Sequence, residues 1–79
     1  SYMMATQGKK IKLKNVEKGD LLFFTTNKSS RKINHVGLVV DVRGNDIRFI
    51  HSTTSRGVLV SSLSEGYWNY AFNHARKIL

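Results

Sequence analysis

The sequence predicts an α+β fold built on an antiparallel sheet with short helices. Three observations carry that expectation. Apolar, β-branched and aromatic residues come in runs of strand length: Leu21 to Thr26, His35 to Val42, Asp46 to Thr53 and Val58 to Val60. Turn signals separate the later runs, Gly44-Asn45 between the second and third and Ser55-Arg56-Gly57 between the third and fourth. The clearest helix-start signal, Ser62 with Glu65 three positions on, introduces only a brief segment.

Taken in order, Ser1 to Gln7 contains good helix formers with a stop at Gly8, which predicts one or two helical turns. Ile11 and Leu13 alternate with Lys10, Lys12 and Lys14, as in an extended segment with one face buried. Asn15 to Gly19 turns the chain, and Gly19-Asp20 forms the entry to the next strand. Glycine permits positive φ there, and aspartate bonds to neighbouring backbone. Leu21 to Thr26 reads as a buried strand and Asn27 to Lys32 as a polar, basic loop. His35 to Val42 and Asp46 to Thr53 form a hairpin about Gly44-Asn45, and Val58 to Val60 is the next strand. The capping box predicts a short helix through Tyr67-Trp68, weakened by Gly66, whose rings cover one end of the sheet. Propensity alone permits helix from Ala71 to Leu79.

Size and composition bound the function. A chain of 79 residues allows one domain of marginal stability. No apolar stretch approaches the roughly 20 residues that span a bilayer, and Ser1 to Lys10 has none of the features of a signal peptide. The absence of cysteine excludes disulfides, thiolate metal sites and a thiol nucleophile from these residues. A formal charge of +8 draws the chain toward polyanions such as nucleic acid, anionic lipid or anionic wall polymers. The basic residues are dispersed, however, and a solvated surface is the plainer account.

Two histidines stand out. His35 heads the run Val36-Gly37-Leu38-Val39-Val40, and His51 ends Ile47-Arg48-Phe49-Ile50, sixteen positions later. An imidazole titrates near neutral pH, so it can take a proton from a nucleophile and return it to a leaving amine. It needs a fixed tautomer, which a third group bonded to its other nitrogen supplies. Zinc ligation by the same pair needs a third ligand, and His74 matches no ligand spacing, so no metal or other cofactor is expected.

From Gly19 to Leu79 the chain resembles the C-terminal half of the NlpC family of bacterial cell-wall cysteine peptidases. The resemblance rests on Gly19-Asp20-Leu21-Leu22-Phe23-Phe24, Asn34-His35-Val36-Gly37, Phe49-Ile50-His51-Ser52, Ser55-Arg56-Gly57-Val58 and Tyr67-Trp68. No one of these is diagnostic, but the ordered set at compatible spacing is specific. Lys18 departs from the proline that many relatives carry before Gly-Asp. The resemblance implies a closing strand after Ala71, and a sheet of about five strands as the β half of a papain-like fold. Residues 1–79 would be the C-terminal (sheet) portion of one such domain, lacking the Asp-Cys-Ser-Gly segment that supplies the family's nucleophile.

By position in those motifs, His35 is implied as the base and His51 as its orienter. Ser52, Ser55 and Arg56, following His51, would line a wall of the cleft, with the Arg56 guanidinium forking onto a stem-peptide carboxylate. A solvated turn arginine is the plainer account of Arg56. The implied reaction is hydrolysis, through a thioester, of the bond between γ-D-glutamate and a diamino acid in peptidoglycan. These residues alone would be inert. The implied partners are the stem peptide and the N-terminal half of the same domain, and the implied location is the bacterial envelope, periplasmic, lipid-anchored or secreted, with no transmembrane segment. The rival reading is a small basic β-rich module binding nucleic acid. It requires aromatics presented outward, whereas Phe23, Phe24 and Phe49 sit in apolar runs.

Register supplies a geometric test. A two-residue turn pairs Arg43 with Asp46, Val42 with Ile47, Asp41 with Arg48 and Val40 with Phe49. Continued unbroken, that ladder sends the two imidazoles to opposite faces. If they cooperate, one extra residue must enter the ladder, as a β-bulge or as a three-residue turn, and Gly37 is the favoured site for a bulge.

Overall fold

The computed structural model describes residues 8–27 and 32–78. The expected N-terminal helical turns, Ser1 to Gln7, and most of the Asn27 to Lys32 loop lie outside them. Six strands, β1 (Lys9–Ile11), β2 (Leu21–Phe24), β3 (His35–Arg43), β4 (Asp46–Thr53), β5 (Gly57–Ser62) and β6 (Phe72–Lys77), form one antiparallel sheet in the order β1-β6-β2-β3-β4-β5. A 3-10 turn spans Leu13–Asn15 and one short helix, α1, spans Gly66–Ala71. The α+β class holds. The sheet gains a sixth strand because the alternating lysine segment pairs with β6, Ile11 opposite Ala75. The closing strand is β6, inserted between the first two strands in sequence.

β2 is the centre of the molecule because both its faces are buried. Leu22 and Phe24 join Val16, Val39, Ile47, Phe49, Leu63, Ala71 and Ala75 in the main core, with Trp68 packed against it. Leu21 and Phe23 form a smaller cluster on the reverse face with Ile33 and Val36. A strand of four consecutive apolar residues suits this double burial, and each fully buried leucine or phenylalanine contributes about 1.5–3 kcal/mol.

The turn into β2 follows its sequence. Gly19 takes φ +94°, and the buried Asp20 carboxylate accepts from the Glu17 amide at 2.8 Å. Lys77 Nζ reaches both Glu17 and Asp20 at 3.3 Å, tying β6 to this turn. At the other end, the expected capping box is altered. The Glu65 carboxylate does accept from the Ser62 amide at 2.9 Å, but Ser62 Oγ accepts from Ser64 rather than Glu65, and α1 begins at Gly66 with Glu65 as its N-cap. The motif closes a turn that precedes the helix, because β5 runs on through Ser61 and Ser62.

The β3–β4 hairpin decides the site. Arg43↔Asp46, Val42↔Ile47 and Asp41↔Arg48 pair as the turn dictates, with Gly44 at φ +61°. The register then shifts between Val39 and Asp41, so that Phe49 faces Val39 rather than Val40. Val40 is the extra residue. Before it, the odd-numbered residues of β3 face the main core with Phe49 and His51; after it, Val42 does so with Ile47. The expected irregularity is present, but at Val40 and not at Gly37. Gly37 has a different use: a Cβ there would stand 2.5 Å from Phe49 Cδ2, so the absent side chain accommodates the Phe49 ring.

Candidate active site

The Val40 bulge brings both imidazoles to the core face. His35 Nε2 lies 2.9 Å from His51 Nδ1, with the rings perpendicular and their centroids 5.0 Å apart. His35 opens β3, where Asn34 pins the strand start: its amide donates to the Phe24 carbonyl at 3.1 Å, and its side-chain oxygen accepts from the Thr26 amide at 3.0 Å. His51 is buried, 4% exposed, on β4. Its Nε2 lies 2.8 Å from Ser61 Oγ on β5, a residue buried to a similar degree.

Trp68 completes the enclosure. Its indole stacks on His35 at 5.3 Å and 22°, and meets His51 edge-on at 4.7 Å. Phe24 and Phe49 close the floor, with Phe49 4.9 Å from His51. Burial in this aromatic surround holds the His35 imidazole below the ordinary histidine value. Burial, reinforced by the neighbouring His35 ring, does the same for His51 against a smaller upward pull from Glu65. Both rings therefore favour the neutral form, which a general base requires. With Nε2 committed to His51, the Nδ1 of His35 is the nitrogen left for a reacting proton.

The residues after His51 separate. Ser52 is exposed on the reverse face of the sheet, beside its partner Val58, because adjacent residues of a strand alternate. Ser55 and Arg56 are exposed in the turn between β4 and β5, which is closed by Thr53 Oγ1 donating to the Gly57 carbonyl and accepting from the Arg56 amide, each at 3.0 Å. Of the three residues expected to line the cleft, Ser52 lies off the imidazole face, while Ser55 and Arg56 stand at the end of the two strands that carry His51 and Ser61. His74 stacks on Phe23 at 5.0 Å, in the reverse-face cluster. No group of three potential metal ligands occurs among the described residues.

Two contributors were missed in the sequence. The sequence marks Trp68 only as a cover for the sheet. Ser61 lies just beyond the apolar run Val58 to Val60; its signal is a polar residue two places after Leu59, on the inward face of an apolar strand. Two surface depressions border the 3-10 turn and the Val42 end of the hairpin, and neither is lined by His35 or His51.

One imidazole hydrogen-bonded to a second, with its other nitrogen turned away from that contact, is an arrangement that can serve a hydrolase with an activated nucleophile. Comparison with known proteins gives the class. The chain belongs to the NlpC/P60 family, whose sequence model matches residues 1–77. It is 37% identical over its full length to the murein DD-endopeptidase MepS/murein LD-carboxypeptidase of Escherichia coli strain K12, and 42% identical over 72 residues, 91% of the chain, to a probable endopeptidase NlpC homolog of Haemophilus influenzae. It spans 38% and 34% of the lengths of those two proteins. Over 67 residues it is 39% identical to the peptidoglycan DL-endopeptidase CwlO of Bacillus licheniformis, 85% of the chain and 13% of that protein. The fold matches a crystal structure of an NlpC/P60 family protein from Bacillus cereus with a TM-score of 0.83, at 24% identity, covering all of this chain and 25% of that one.

Proposed function

We propose that this chain is the base-bearing sheet portion of a peptidoglycan endopeptidase domain, with His35 as general base and His51 as its orienter, acting on a cysteine thiol that these residues do not contain. The hydrogen bond between His35 Nε2 and His51 Nδ1 carries the reading, because it fixes one imidazole through the other and leaves His35 Nδ1 for the thiol proton. His35 takes that proton, the thiolate attacks the scissile carbonyl, and the imidazolium returns the proton to the departing amine, leaving a thioester that water hydrolyses. Ser55 and Arg56 are the substrate-side candidates, the guanidinium being suited to a stem-peptide carboxylate. The parent acts in the bacterial cell envelope.

The bond proposed is that between γ-D-glutamate and a diamino acid. A second reading, a D,D bond in murein, is favoured by one observation: a relative that matches all 79 residues is named a murein DD-endopeptidase/murein LD-carboxypeptidase. Purified chain offered γ-D-glutamyl-diaminopimelate peptides and D,D-cross-linked muropeptides should release nothing from either. Joined or co-expressed with an N-terminal segment bearing the cysteine, it should cleave one of the two, and thiol alkylation should abolish the cleavage. Turnover by the isolated chain, or restored turnover that resists alkylation, rejects the thiol mechanism. Against the rival reading, Phe23, Phe24 and Phe49 are fully buried and unavailable for base stacking. Binding to single-stranded nucleic acid should therefore be weak and fall steeply with salt.

A further inference from the structure

We propose that Ser61 is a positioning residue of this site: its Oγ accepts the Nε2–H of His51 and thereby fixes the tautomers of both imidazoles. The inference rests on the reading of His35 as base. A neutral imidazole has one N–H and one lone pair, and the charged form has two N–H groups. One proton therefore lies across the 2.9 Å contact between the rings. If His51 Nδ1 held it, a neutral His35 would accept at Nε2 and carry its own proton on Nδ1, the nitrogen that must receive one.

The charged state is more restrictive. Once His35 is an imidazolium, both its nitrogens carry hydrogen, so His51 Nδ1 must accept and the proton of His51 must sit on Nε2. That N–H is buried, and Ser61 Oγ stands 2.8 Å away to accept it. Unpaired, it would oppose formation of the imidazolium. A hydroxyl is also the right kind of acceptor. A carboxylate in its place would draw the positive charge onto His51, whereas a neutral oxygen leaves it on His35, next to the reacting sulfur. The Ser61 side chain is placed by β-sheet register: Ser61 faces Phe49 and Leu59 faces His51, so Ser61 shares the His51 face one diagonal step away.

The test reads the protons directly. With three histidines in the chain, long-range 1H–15N spectra of the 15N-histidine-labelled protein at alkaline pH resolve each ring. Both His35 and His51 should be Nε2–H tautomers, and Ser61→Thr should keep them so. Ser61→Ala, checked for folding by its amide spectrum, should shift His51 toward Nδ1–H. Joined to the cysteine-bearing segment, Ser61→Ala should lower kcat roughly ten- to hundredfold with KM nearly unchanged, and Ser61→Thr should recover most of the loss. Nδ1–H at His51 in the wild type overturns the proposal, and so does a folded Ser61→Ala with wild-type tautomers. Should Ser61→Ala fail to fold, the wild-type and Ser61→Thr spectra decide alone. Absence of peptidoglycan cleavage with the expected tautomers would reject the hydrolase reading and leave the role of Ser61 intact.

Discussion

At the scale of single residues, His35 and His51 are chemically alike but unequally placed, and the proposed roles follow from that difference. His35 is half-buried with Nδ1 uncommitted to the relay, while His51 is spent at both nitrogens, on His35 and on Ser61. Substitutions in the chain joined to the proposed cysteine-bearing segment should separate them. His35→Ala removes the base and should cost about 10²–10⁴ in kcat, the usual worth of a positioned acid–base group. His51→Ala should cost less, since the base survives without its orienter. His51→Gln should cost less again, because an amide oxygen can accept from His35 Nε2–H. Equal and total loss from all three, measured as kcat/KM, would contradict the division of roles. The histidines were legible as a pair from their motifs. Ser61 was not, because a serine near a strand end has many ordinary explanations and only register aims it at an imidazole.

At the scale of elements, the hairpin couples a turn to a bulge. Gly44-Asn45 sets three pairs that opposite charges and apolar contacts support, and Val40 then reverses the facing of the first half of β3. Local sequence announced the need for that reversal and misplaced it. Glycine's backbone freedom pointed to Gly37, whereas the need at Gly37 is for space under Phe49, whose ring is fully buried. A valine accommodates the bulge. It follows that Gly37→Ala, with its new Cβ 2.5 Å from Phe49 Cδ2, should destabilise the protein by about 1–3 kcal/mol through overpacking. A thermal scan should show the transition lowered by roughly 4–8 °C for each kcal/mol lost. An unchanged transition would mean that the Phe49 ring moves aside freely, and with it the floor of the site.

At the scale of the whole molecule, burial of the imidazoles links stability to pH. Both lie below the ordinary value of 6.5 in the folded chain, with burial the leading cause. Between the folded and unfolded values the unfolded chain binds more protons, so the free energy of unfolding falls as pH drops through about 6.5 and below. Asp46 acts in a lower window. Its carboxyl is held below 3.8, chiefly by the Ser62 hydroxyl and then by Arg48, so its contribution is present above that value and is lost as pH falls past it. Urea midpoints should therefore decline between pH 7.5 and 5.5, and His51→Gln should flatten that decline while sparing the one at lower pH. A decline of equal size in the variant would assign the acid sensitivity to other groups.

The strand-length runs, the turns at Gly44 and Gly57, the entry at Gly19-Asp20, the central apolar strand β2 and the ordered motifs that mark the family are all written in the chain itself. Those features are local, since periodicity, glycine conformation and turn chemistry act within a few residues. Tertiary structure decided the rest: the lysine-rich β1 recruited by β6, the position of the bulge, the stacking of Trp68 on His35, and the Ser61 hydroxyl at the end of the imidazole relay. Each depends on residues far apart in sequence. Which neighbour a side chain meets is fixed by strand order and register, and those are settled by how the whole sheet buries its apolar residues together.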